Sequence, residues 1–109
     1  MATLLNKGFI LNVSDGSIVE YTMYTNASES NIITSNITLV NNSSDQDCTL
    51  NLFINYIGNK LRIAPKDLTI EGGDMVIIDT EYILEPGESI SGIATTGNIS
   101  FIINGTESI

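Results

Sequence analysis

Apolar and polar residues alternate with a period of two along most of the chain. From Ile33 to Val40 the odd positions Ile33, Ser35, Ile37 and Leu39 alternate with Thr34, Asn36 and Thr38. Cys48, Leu50, Leu52, Ile54 and Tyr56 line one face of the next segment, opposite Thr49, Asn51 and Asn55. Ile99, Phe101 and Ile103 repeat the pattern against Ser100 and Asn104. Such alternation marks half-buried antiparallel strands, and Ile, Thr, Val, Tyr and Phe suit a pleated surface. The pattern predicts strands near 7–11, 17–24, 32–40, 47–56, 60–64, 67–70, 74–78, 81–84, 89–94 and 99–104. Turn residues separate them, among them Ser14-Asp15-Gly16, Gly58-Asn59, Gly72-Gly73, Glu85-Pro86-Gly87-Glu88 and Asn104-Gly105. No helix is expected; residues 64–67 read as a bend.

Eight to ten short strands predict an all-β antiparallel sandwich, jelly-roll or immunoglobulin-like, because two stacked sheets bury each other's apolar faces. The 109 residues fit a single domain, 1–109, with 18 isoleucines to fill its core and a short N-terminal arm over residues 1–6. There is no Trp and only one Cys, so the antibody-type signature of that fold is missing.

Charge and composition narrow the chemistry. Thirteen acidic residues against four basic ones give a net charge of −9, which argues against nucleic acid and an anionic membrane surface as partners. The absence of His removes Ser-His-Asp and Cys-His catalysis and His-based zinc sites, and the single Cys48 excludes an internal disulfide. No apolar run reaches the roughly 20 residues that span a bilayer, and residues 1–8 do not read as a secretory signal. Folding in a cytoplasm is the expectation.

Candidate sites are few. Asp45 and Asp47, and Glu71 and Asp74, lie in turns but do not match a calcium loop, so they read as solvated carboxylates and no metal or other cofactor is expected. Glu85 and Glu88 read as exposed turn residues, without the burial that tunes a catalytic carboxylate, and the chain is not expected to be an enzyme. Asn-X-Ser/Thr triplets at Asn12, Asn26, Asn36, Asn41, Asn42, Asn98 and Asn104 read as a by-product of alternation. Lys60, Arg62 and Lys66 concentrate most of the positive charge; a positive edge could dock an acidic neighbour or guard an edge strand. Ala2, Thr3, Leu4 and Leu5 form the arm and, with the basic edge, are the interface candidates. Tyr24 and Tyr56, at strand ends, could instead stack on a glycan.

The stretch Ile63-Ala64-Pro65-Lys66-Asp67-Leu68-Thr69-Ile70, the turn Leu84-Glu85-Pro86-Gly87-Glu88-Ser89-Ile90-Ser91-Gly92 and the final Thr96-Gly97-Asn98-Ile99-Ser100-Phe101 resemble small β-sandwich structural proteins of tailed bacteriophages. Asn6-Lys7-Gly8 and Glu20-Tyr21-Thr22 match that group's opening strands in layout. The final strands carry Ile and Asn where that group is commonly Ala-rich. The resemblance implies a non-enzymatic virion component made in the host bacterial cytoplasm, decorating the capsid or the neck and tail as a repeated, homo-oligomeric subunit. Its implied partners are other virion proteins and its own copies. The alternative is a receptor- or glycan-binding module at a fibre or tail tip.

Overall fold

A computed structural model describes residues 2–13, 20–56, 58–94 and 97–108. Among them ten strands run in order: β1 (Ala2–Val13), β2 (Glu20–Thr25), β3 (Ile32–Asn41), β4 (Cys48–Tyr56), β5 (Asn59–Arg62), β6 (Leu68–Ile70), β7 (Met75–Ile78), β8 (Tyr82–Leu84), β9 (Ser89–Ala94) and β10 (Gly97–Ser108). All pairings are antiparallel. Residues 17–19 of the second expected strand lie outside the described residues.

The strands form two sheets, β1-β10-β3-β7 with β8 also on β3, and β2-β9-β4-β5 with β6 also on β4. Residues 63–67 interrupt one edge between β5 and β6, and residues 79–81 interrupt the other between β7 and β8. Joining each broken edge gives four strands per sheet, with the first strand beside the last. Successive strands mostly change sheet, which is the double-sheet jelly roll and resolves the choice left open with the immunoglobulin arrangement.

The core lies between the sheets. Leu11, Ile37, Leu39, Ile99, Phe101 and Ile103 from one sheet meet Leu50, Leu52, Ile54, Ile90 and Ala94 from the other, and Cys48 is buried among them. Gly92 packs against Met23 and Leu52, where an added Cβ would come within 3.1 Å of the Met23 side chain.

Three expectations are corrected. The segment expected to be an arm is strand: Ala2 pairs with Ser108 and the ladder continues without a break to Val13 opposite Gly97. Leu5 is buried while Leu4 is 87% exposed, because successive strand residues point to opposite faces. The alternation in β3 also changes phase. Asn104 pairs with Asn36 but Gly105 with Thr34, so a bulge at Ser35 turns Ile33 outward and buries Thr34. A Cβ on Gly105 would lie 2.1 Å from the Ile33 carbonyl oxygen, so only glycine fits opposite the bulge. Third, Glu88 is buried. Its carboxylate accepts from the Glu85 N–H at 2.6 Å, closing a turn in which Gly87 takes φ +87°.

Two buried asparagines fix the loops that cross between sheets. The Asn26 side chain donates to the Leu84 carbonyl (2.8 Å) and the Ser30 carbonyl (2.9 Å) while accepting from Ser28. Asn41 does the same with the Ile70 carbonyl (2.9 Å), the Gln46 carbonyl (2.8 Å) and the Ser43 N–H (3.0 Å). These triplet asparagines are structural, and their amides are buried.

Candidate interaction surface

The residues singled out from the sequence do not converge on one site. Ala2 and Thr3 begin β1 on a sheet edge, Leu4 faces outward and Leu5 belongs to the core. Lys60 and Arg62 share the outer face of β5, as alternation requires, and both sit over Phe53, at 5.8 and 4.9 Å from the ring centroid. Each already has a partner within the chain. Lys60 pairs with the Glu20 carboxylate, and Arg62 donates to the Asn51 side-chain oxygen. Lys66 is exposed in the bend between β5 and β6.

Tyr24 is partly buried and packs against the core, and its hydroxyl pKa is raised by burial and then by the nearby Glu107 charge. It is not laid open as a stacking platform. Tyr56 ends β4, and its side chain lies outside the described residues. The turns carrying Asp45, Asp47, Glu71 and Asp74 do meet, with Gly72 close against the backbone of Asp45 and Gln46. Among the described residues no group of three or more His, Cys, Asp or Glu could hold a metal ion.

What the sequence did not single out is the outer face of the β1-β10-β3-β7/β8 sheet. Register aligns its outward residues in rows across the strands. One row is Leu4, Thr106, Ile33 and Ile83. The next is Asn6, Asn104 and Asn36, joined by amide hydrogen bonds of 2.5 and 3.0 Å. Then come Gly8, Ile102, Thr38 and Ile77, followed by Ile10, Ser100, Val40 and Met75. Asn12, Asn98 and Asn42 close the face, with Asn42 donating to Asn98 at 3.0 Å. No Asp, Glu, Lys or Arg stands in these paired rows, and the exposed Asp79 and Glu81 lie at the sheet edge, in the break between β7 and β8. Among the described residues, Leu4, Ile10, Ile33, Met75, Ile77 and Ile83 are six of the seven exposed large hydrophobics; the seventh, Leu61, lies on the other sheet. Apolar rows alternating with amide rows make this face the candidate interaction surface of the molecule. The unbroken run Met75-Val76-Ile77-Ile78 was its signal in the sequence, since an unbroken apolar strand is one covered on both faces.

No protein-family model matches the chain, and no curated protein matches it by sequence. Solved structures do match in shape. The nucleoplasmin-like N-terminal domain of Drosophila FKBP39 is similar with a TM-score of 0.52 at 12% identity, over 97% of this chain and 91% of that one. A chain from the T13 IBDV viral particle is similar with a TM-score of 0.56 at 10% identity; the likeness takes in 97% of this chain but only 30% of the viral one. Two otherwise dissimilar sequences thus share the sandwich seen here, and at these identities the likeness shows the fold alone.

Proposed function

We propose that this chain is a non-enzymatic structural subunit of a virion, a repeated jelly-roll module that attaches to the capsid or to the neck and tail of a tailed bacteriophage. The observation that carries this reading is the uncharged, half-apolar outer face of the β1-β10-β3-β7/β8 sheet in a chain of net charge −9. Such a face is stable in water only at a cost in exposed apolar area, and covering it by a neighbour removes that cost. The fold shared with a chain of a viral particle supports the same direction, as does the sequence resemblance to phage β-sandwich proteins. Many copies on a symmetric particle let modest contacts add up.

Quantitative mass spectrometry of purified particles of the virus encoding the chain tests this reading. Recovery in a fixed, repeated number of copies per particle is the expected result. Absence from the particles overturns it. The glycan-binding alternative has less support, because Tyr24 packs against the core rather than standing free.

A further inference from the structure

We infer that the outer face of the β1-β10-β3-β7/β8 sheet is covered by the same face of a second copy, across a two-fold axis. This rests on the reading of the chain as an assembling subunit and names the partner. Charge is the first argument. A second copy also carries −9, and facing rows without Asp, Glu, Lys or Arg let two acidic chains meet without opposing like charges.

Area is the second. Four strands about 4.8 Å apart and five rows about 6.8 Å apart make a face of roughly 19 × 30 Å. Two such faces bury about 1,100 Å² in total, just above the roughly 1,000 Å² that separates a specific contact from an incidental one.

Self-complementarity is the third. Most partners that covered the apolar rows would strand the Asn6–Asn104–Asn36 amides. A primary amide both donates and accepts, so an inverted copy of the row offers it matching groups. An axis running parallel to the strands, between β10 and β3, sets every row of one copy against the same row of the other in reverse, so that Leu4 meets Ile83, Gly8 meets Ile77 and Ile10 meets Met75. Both the apolar and the amide positions are then matched by one operation, which defines a two-fold contact between identical surfaces.

Sedimentation velocity on the full chain, up to about 200 µM, tests this against the micromolar association expected of a small interface. The wild type should form a dimer. Ile77→Lys, and separately Ile10→Lys, should weaken dimerisation at least about tenfold while leaving the melting temperature nearly unchanged, since both side chains are already exposed. Leu61→Lys makes the same chemical change off the face and should leave the dimer intact. A wild type that stays monomeric throughout, or a dimer lost equally with Leu61→Lys, overturns the inference. Monomeric chain recovered in particles would sink the two-fold contact and leave the virion reading standing; a dimer never found in particles would do the reverse.

Discussion

The two outer faces of this sandwich are built from the same strand chemistry and treat water differently. On the β2-β9-β4-β5/β6 side the outward groups bond to one another. Asn51 accepts from the Asp67 N–H at 2.9 Å and donates to its carboxylate at 3.1 Å, Asn55 reaches Ser89 and Ser91, and Thr49 meets Thr69. Its aromatic residue, Phe53, is roofed by Lys60 and Arg62. Apolar surface on that side is covered by the chain itself. On the β1-β10-β3-β7/β8 side, Leu4, Ile10, Met75, Ile77 and Ile83 have no such cover and stay more than half exposed. One sheet covers its own apolar surface, and the other leaves its apolar rows open to solvent.

The bulge that sets the second face is the point at which the comparison breaks most severely. Gly105→Ala should destabilise the fold by about 3 kcal/mol or more, because the new methyl would collide with the Ile33 backbone rather than with a movable side chain. Chemical denaturation measures this, and an unchanged midpoint would show that the bulge relaxes freely. Asn41→Ala follows closely, at about 2–3 kcal/mol, since it removes a fully buried amide and leaves the Ile70 carbonyl without its side-chain donor.

The faces themselves should respond more weakly and in different ways. Asn104→Ala breaks both bonds of the amide row and should cost about 1 kcal/mol in the isolated chain. Lys60→Met on the other face should cost at most about 0.5 kcal/mol, an amount that shrinks with added salt, because the pair with Glu20 is solvent-exposed. Tyr24 gives the smallest and most pH-bound effect. Its folded-state pKa is raised, so the folded chain holds the phenol proton where the unfolded chain has lost it, and stability falls as pH rises above about 10. Tyr24→Phe should flatten that alkaline decline in a pH series of thermal melts.

The sandwich was legible in the sequence because the inward-facing positions of β4 and β10 are apolar at every second residue, and the bend at 64–67 was marked by Pro65 two residues before Asp67, which takes φ +56°. The jelly-roll order was not legible, since period-two patterning says which face is buried but not which strand lies alongside. Reading β3 as one continuous alternation put Ile33 and Thr34 on the wrong faces, because a single extra residue inverts everything beyond it. The short opening segment looked like an arm because Leu4 and Leu5 interrupt alternation. A strand with one face in the core and an apolar outer face gives that same pair. Glu88 was misread because a turn of Glu, Pro and Gly reads as solvent-facing, while the chain folds its carboxylate back onto the Glu85 amide. The amide rows were visible only as a surplus of Asn, and register alone brought Asn6, Asn104 and Asn36 into line.

Hydroxyl-radical footprinting of the chain, free at low concentration and then assembled in purified particles, reads the central difference between the faces directly. Met75 is 58% exposed on the uncharged face and oxidises readily when free, whereas Leu61, 51% exposed on the opposite sheet, serves as the internal standard. The account predicts that assembly protects Met75 strongly and leaves Leu61 labelling close to its free value. Met75 labelled equally in both states, with protection confined to the Lys60 and Arg62 side, would contradict it.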